Sequence, residues 1–401
     1  MKILVLNCGS SSIKCTLFEM PDRAVLAQGT VEKIGEEDTV ITFRSDGEIL
    51  ADACSAADHP TAVDTLLRRF LKANGGVLDD LDEIAAFGHR VVHGGEVSES
   101  MVVDESVLDI VRRAHRFAPL HNPPNLAGLE AALRAAPGKP QVAVFDTAFH
   151  AHMPPEAYLY ALPLSLYEEH QVRVYGFHGT SFRYVSRRAA DFLGIPPDKV
   201  NLITIHLGNG CSMAAVRNGR SVDTSMGMTP LQGLVMGTRS GDIDPSLFLF
   251  LGEWLDLTPE EVYDLFNRQS GLLGLSGLSN DVRELQAAAR DGNERAALAL
   301  RVFSYRVRKY IGAYFAVLGR VDGIIFTAGI GENSSWIRAM ACDGLDGLGV
   351  ALDPARNEST DDSERSISAA GSAVPVLVIP TDEARQIAVE TYNILKEDIA
   401  Q

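Results

Sequence analysis

The chain is short of basic charge: 36 lysines and arginines stand against 53 aspartates and glutamates, a formal net of −17 over 401 residues. Nucleic acid and anionic membrane surfaces need a basic footprint, so neither is expected as a partner. An anionic substrate must be drawn in by a few local arginines rather than by the field of the whole protein. Cysteine is scarce and odd in number, with Cys8, Cys15, Cys54, Cys211 and Cys342 widely scattered and no C-x-x-C pair. This excludes a disulfide framework and a zinc ribbon, and it predicts reduced thiols. Long apolar runs are missing as well. The longest helical-looking one, residues 310–319, is bounded by Lys309 and Arg320 and falls far short of the ~20 residues a membrane span needs. The apolar start of the chain is interrupted at once by Asn7 and does not read as a signal peptide. A cytoplasmic protein is predicted.

What is present is enough apolar material, 46%, to fill two cores, in a chain too long for one typical core. Strand-like runs at 3–6, 13–18, 84–87, 142–145, 202–207, 323–326 and 374–379 alternate with helical periodicity at 62–72, 105–116, 181–192, 294–318 and 383–395. That alternation is an α/β signature. The polar segment 356–366 reads as an exposed excursion.

One internal echo organises the chain. An apolar strand runs into Asn7-Cys8-Gly9-Ser10-Ser11-Ser12 and out into a second strand. Half a chain later, residues 202–207 run into Gly208-Asn209-Gly210-Cys211-Ser212 and out again. A third glycine turn, 327–333, also follows a strand. Two related domains, each presenting a glycine-rich hairpin to a shared cleft, would produce this pattern. Such turns expose consecutive N–H groups that can bind phosphate oxygens, although a tight hairpin needs glycine and asparagine for its geometry alone.

Other segments are distinctive by their chemistry. They are Gly88-His89-Arg90-Val91-Val92-His93-Gly94-Gly95-Glu96, Ala118-Pro119-Leu120-His121-Asn122-Pro123-Pro124-Asn125, Phe145-Asp146-Thr147, Phe177-His178-Gly179-Thr180-Ser181, Met236-Gly237-Thr238-Arg239-Ser240-Gly241-Asp242, Thr327-Ala328-Gly329-Ile330-Gly331-Glu332-Asn333 and Pro380-Thr381-Asp382-Glu383. With the two hairpins, they make the chain resemble the acetokinase family, of the acetate and sugar kinase, heat-shock and actin superfamily, collinearly over essentially its whole length. The resemblance implies an α/β fold of two actin-like (ribonuclease H-like) domains with a nucleotide-binding cleft between them. Each is expected around a mixed five-stranded sheet. Domain one would span 1–150, completed by the C-terminal helix 383–401, and domain two 151–382.

The implied activity is reversible, Mg²⁺-dependent transfer of the ATP γ-phosphoryl group to acetate, giving acetyl phosphate and ADP. Mn²⁺ is an alternative metal and a homodimer the expected assembly. Two other readings stay open: a propionate or butyrate kinase on the same fold, and a nucleotide-switched actin-like binding protein. The second would not need Arg90, Arg239 and His178 together.

The chemistry constrains the roles. A carboxylate nucleophile, with a pKa near ~4, is already ionised at neutral pH, so no general base is required. The site must instead bring two anions together and spread charge over the transferring group, which calls for arginines, a histidine donor and a metal. The resemblance places Arg90 and Arg239 at the γ-phosphoryl and the carboxylate, where a guanidinium can make paired hydrogen bonds. His178, just before a helix that Thr180 or Ser181 could cap, would donate as a neutral or cationic imidazole, and His121 and His206 are the other implied active-site histidines. Asp146, at a strand end, is implied to orient Arg90 and the metal's water. Covalent phospho-aspartate chemistry is conceivable but not needed.

Asn7 and Glu383 are the implied metal-side residues, although this chain has Ala384 where the family commonly shows a second glutamate. Cys8 likewise stands where the family commonly has a smaller residue. Ser12, Lys14, His206, Leu207, Gly208, Asn209, Gly210, Asp281, Val282, Arg283, Gly329, Ile330, Gly331, Glu332 and Asn333 are the implied nucleotide residues. Gly329 and Gly331 keep open a region that a pyrophosphate-using relative fills with bulk. Val92, Leu120, Phe177 and Pro230 match the small acyl pocket, whose walls separate substrates one methylene apart by only ~1–3 kcal/mol. His89 and His93 have the spacing of a helical metal pair, but Val91-Val92 reads as strand, which separates them.

Overall fold

The computed structural model describes residues 1–54 and 56–400. By its internal contacts the chain divides into two compact units, Met1–Ala151 with Asp382–Gln401, and His152–Thr381.

The first unit is built on a sheet of β1 (Lys2–Cys8), β2 (Ser12–Glu19), β3 (Ala24–Glu32), β4 (Val40–Ser45), β5 (Glu48–Ala53), β6 (Ile84–Val91), β7 (Met101–Val102) and β8 (Gln141–Phe145). Their order is β5-β4-β3-β2-β1-β6-β8-β7. β1 is antiparallel to β2 and parallel to β6, and β6 is parallel to β8. Both faces of the central strands are covered, so β1 reads as a continuous apolar run. Leu4, Leu6, Ile13, Cys15 and Leu17 pack on one face with Ala62, Val63, Leu66 and Leu67 of the helix His59–Arg69 and with Ala131 and Ala132. Ile3, Val5, Phe18, Val142 and Val144 pack on the other with Ile387 and Ala388 of the helix Glu383–Ala400. That helix therefore buries its inner face on the first unit's sheet, which fixes where Glu383 sits.

The second unit carries β9 (Leu202–Leu207), β10 (Cys211–Arg217), β11 (Arg220–Thr224), β12 (Gly323–Thr327), β13 (Arg365–Ser366) and β14 (Val376–Val378), in the order β11-β10-β9-β12-β14-β13. β9 and β10 form an antiparallel hairpin, and β12 runs parallel to β9 and β14. The long helix Glu294–Leu318 starts where the Asn293 side chain accepts from Ala296 N–H. It buries Ala299, Phe303, Val307 and Ile311, four-residue spacing that keeps one face inward.

Three expectations need correction. The sheets have eight and six strands among the described residues, not five each. The glycine segment after β12 is not an open turn but a short helix, Ala328–Asn333. His178 itself occupies the position before its helix, and Thr180 and Ser181 lie inside the first turn rather than at the cap.

Candidate active site

Arg90 extends from the end of β6, and Asp146 follows the end of β8, the neighbouring parallel strand. Strand ends of this kind gather polar side chains in α/β sheets. Arg90 donates to the Asp146 carboxylate from two nitrogens, Nη2 to Oδ2 at 2.6 Å and Nε to Oδ2 at 3.1 Å. Its Nη1 lies 3.6 Å from Glu383 Oε2. The Asp146 side chain is 1% exposed and that of Arg90 18%, so the pair is well shielded. Two carboxylates thus fix the guanidinium plane, the first through a planar two-nitrogen grip.

Glu383 shares a cavity of about 330 Å³ with Asn7 and Lys14, which Gln28, Thr30 and Arg44 also line. Burial pushes the Glu383 carboxyl above the usual range, against the pull of Arg90. A desolvated carboxylate beside an amide oxygen suits Mg²⁺, which takes oxygen ligands and keeps several waters.

The strand end that carries Arg90 is held by asparagines. Asn125 accepts from Val92 N–H at 2.9 Å and donates to Cys8 O at 2.6 Å. Asn122 accepts from His93 N–H at 3.1 Å and donates to His93 O and Val111 O. One helix, Asn122–Ala135, therefore pins both the first hairpin and the Arg90 strand. His121 is the residue that precedes it, and Leu120 is half-buried nearby in sequence. His89 is bonded to Gln141 at 2.6 Å, and burial lowers its pKa to about 4. His93 accepts from Gly95 N–H and stacks on Phe117, so the two imidazoles have separate partners.

In the second unit, the β9–β10 turn is closed by Gly208 N–H donating to Gly210 O at 3.0 Å. The turn at Gly210 lies close to both His178 and Arg239. A Cβ there would sit 3.5 Å from His178 Nε2 and 3.6 Å from Arg239 Nη1. Two donors thus converge on one backbone turn. Arg239 is carried on a loop whose geometry is tight: Gly241 (φ 72°) and Gly271 (φ 60°) leave no room for a side chain against Leu234 O and Met236 O. Arg239 Nη1 donates to Pro230 O at 3.3 Å, and burial lowers the pKa of its guanidinium.

His178 sits in a left-handed backbone conformation, φ 57°, uncommon for a residue with a side chain. Its ring stacks on His206 with centroids 4.1 Å apart and planes 14° apart. His178 Nδ1 lies 2.8 Å from Ser212 Oγ, and His206 Nδ1 2.9 Å from Ser181 Oγ.

A second cavity, about 770 Å³, is lined by Gly208, Asn209, Asp281, Val282, Arg283, Gly329, Ile330 and Asn333 of the expected nucleotide set. Asn280, Gln286 and Ser334 complete its wall; no sequence pattern singled them out. Gly331 and Glu332 are absent from that wall and act as braces. Glu332 Oε1 accepts from the N–H groups of Ala328 at 2.7 Å and Thr381 at 3.0 Å. This holds Ala328 in its left-handed conformation, φ 64°, a strained state for alanine. The carbonyls of Gly331 and Glu332 accept from Arg338, a fully buried guanidinium otherwise held by Asn357. Val92 and Leu120 of the expected acyl set lie in the first unit, Phe177 and Pro230 in the second.

Comparison with known proteins decides the family, because the acetokinase family model matches residues 2–389. The chain belongs to the acetokinase family. An acetokinase-family relative, the acetate kinase of Nitratidesulfovibrio vulgaris, is 52% identical over 402 residues, covering 99% of this chain and 100% of that protein. Among solved structures, Porphyromonas gingivalis acetate kinase superposes with a TM-score of 0.93 at 46% identity, covering 98% of this chain and 99% of that one. A propionate kinase from Francisella tularensis reaches a TM-score of 0.92 at 41% identity, with the same coverage. The two-sheet α/β fold described above is the fold of this family.

Proposed function

We infer that the chain is an acetate kinase, a phosphotransferase with a carboxyl group as acceptor and ATP/ADP as co-substrate. The observation that carries this is 52% identity to an acetate kinase along the whole of both chains. The side-chain chemistry supports it. Direct in-line transfer to a carboxylate needs donors and no base, and here the polar machinery consists of donors. Arg90, braced by Asp146, presents a guanidinium of fixed orientation. Arg239 and His178 direct N–H groups past Gly210. Such preorganised donors stabilise charge as it develops, with little reorganisation at the moment of reaction.

Asn7 and Glu383 are the residues that would hold Mg²⁺, with its remaining positions filled by water and phosphate oxygens; the ion supplies charge neutralisation on the transferring phosphoryl group. The 770 Å³ cavity is proposed for the adenosine, with Asp281 to Arg283 and Gly329 to Asn333 beside it.

The expected homodimer has a physical candidate for its interface. The helix Leu247–Leu255 buries none of its residues, and it exposes Leu249 at 66% and Trp254 at 71% with Phe248, Phe250 and Leu255. An apolar face of that size on a monomer calls for a partner. A cytoplasmic location fits the five unpaired thiols, and no helix among the described residues is long and apolar enough to cross a membrane.

The likeness to a propionate kinase makes the acyl chain the point to test. Turnover on acetate, propionate and butyrate should fall in that order. A kcat/KM for propionate above that for acetate would replace acetate with the longer acid.

A further inference from the structure

We propose that Ser212 is a positioning residue that fixes His178 as a neutral imidazole with its proton on Nε2. This rests on the reading of His178 as a donor to the transferring phosphoryl group. The Ser212 hydroxyl is fully buried on β10, and its hydrogen-bond partner among the described residues is His178 Nδ1, at 2.8 Å.

A serine hydroxyl has one hydrogen to give. If Nδ1 were protonated, the Ser212 oxygen would accept from it and its own hydrogen would point into the strand interior without an acceptor. A buried donor left in that state is costly. An imidazolium, protonated on both nitrogens, meets the same mismatch. Only the form with a bare Nδ1 satisfies both groups: Ser212 O–H donates to Nδ1, and the ring proton stays on Nε2. That nitrogen is turned toward Gly210, as is Arg239 Nη1.

Two neighbours act in the same direction. Arg239 is a fixed positive charge whose Nη1 reaches the same Gly210 turn as the ring, and a protonated His206, stacked at 4.1 Å, would be a second like charge. Like charges at such distances disfavour a second cation. His206 is held by a similar device, because Ser181 Oγ lies between His206 Nδ1 and Thr381 Oγ1, 2.9 and 2.8 Å away. A hydroxyl chain from Thr381 through Ser181 can orient that ring. In consequence the arginines supply the charge that binds the anions, and His178 supplies a directed neutral N–H.

The test is a two-bond ¹H–¹⁵N correlation spectrum of the whole enzyme labelled at histidine, at neutral pH. His178 is identified as the ring whose signals vanish in His178→Gln. The expected pattern is a neutral ring protonated on Nε2. Ser212→Ala should lose the single-tautomer pattern and lower kcat about tenfold, the loss of one hydrogen bond, with KM for ATP unchanged. Ser212→Thr, which keeps the hydroxyl, should restore both. In the His178→Gln background, Ser212→Ala should cost nothing more, whereas a packing defect would cost as much in either background. An Nδ1–H or imidazolium pattern in the wild type overturns the proposal, and that result does not depend on any variant folding. So does an unchanged pattern in Ser212→Ala. Wild-type turnover in His178→Gln would instead remove His178 from the proposed mechanism and leave the tautomer question decided by the spectrum alone.

Discussion

Replacing Asp146 by asparagine tests the role of the Arg90 brace. The substitution keeps the size of the side chain and removes its charge. In the native protein Arg90 grips Asp146 through Nε and Nη2, while its Nη1 is 3.6 Å from Glu383. An asparagine oxygen in the place of Oδ2 could still accept from Nε and Nη2, but it carries no charge, and its NH₂ then faces the Nε donor 3.3 Å away. Arg90 is left with one distant carboxylate. Breaking a buried pair by removing one partner costs about 3–5 kcal/mol. The 18% exposure of Arg90 and the remaining Glu383 bring this to roughly 2–3 kcal/mol. In a unit of this size that lowers the Tm by about 5–10 °C.

Turnover should fall more than stability suggests, by at least ~10²-fold, because a guanidinium that is free to tilt no longer points at the developing charge. kcat and kcat/KM should fall together, the mark of an interaction made in the transition state. The shape of the pH–rate profile should be kept, since acetate is already ionised. Asp146→Glu, which restores the charge one methylene out of place, should recover part of the rate. The assays are scanning calorimetry and steady-state kinetics between pH 6 and 9. A slope-one rise of rate with pH, present only in Asp146→Asn, would refute the reasoning and make Asp146 a general base. Wild-type stability in Asp146→Asn would show that the pair does not hold Arg90.

Glu383→Gln should separate stability from metal use. Burial raises the Glu383 pKa in the folded state, so its contribution to stability is present below the usual carboxyl pKa and is lost as pH rises through the raised value. At neutral pH the variant should therefore unfold at the same temperature or higher while needing more Mg²⁺ for half-maximal rate; a lower Tm with unchanged Mg²⁺ dependence would contradict both parts. Val92→Ala should raise the propionate-to-acetate ratio of kcat/KM about tenfold, each accommodated CH₂ being worth ~0.8 kcal/mol. The backbone there is held by Asn125 whatever the side chain, so an unchanged ratio takes Val92 out of the acyl pocket. Trp254→Asp should turn a dimer into a soluble monomer by light scattering; a monomeric wild type would leave the apolar helix Leu247–Leu255 for some other partner.

Sequence pattern located the elements that bury a full stripe or both faces. The helix Glu294–Leu318 and the strand Leu202–Leu207 run as their periodicity predicts. The outer strands escaped because their pattern is absent or short: all six residues of β5 are exposed, and β4 buries only Ile41 and Phe43 in alternation. A five-stranded sheet was expected; of its eight strands, β3, β4 and β5 at one edge and the two-residue β7 at the other lay outside the strand-like runs. The candidate residues at Arg90, Arg239 and His178 were legible from their motifs, and Asp146 as the partner of Arg90 from the resemblance; the other supports were not. Asn122 and Asn125 act on main-chain atoms of Cys8, Val92 and His93, distant in sequence, and Glu383 meets Arg90 only once strands and helix have packed. Ser212 carries no pattern at all. It is one buried hydroxyl on a strand, and its meaning comes from the ring opposite it. Glu332 entered the nucleotide set through the resemblance, and no pattern showed that its carboxylate also closes the backbone of its own helix.

The most direct measurement is chemical. The enzyme is incubated with ATP, Mg²⁺ and acetate in the presence of hydroxylamine, and acyl hydroxamate and ADP are counted. An acetate kinase forms acetyl hydroxamate and ADP in equal amounts, dependent on acetate. ADP and free phosphate released at the same rate with or without acetate, and no hydroxamate, would contradict the account and place the chain among nucleotide-switched binding proteins.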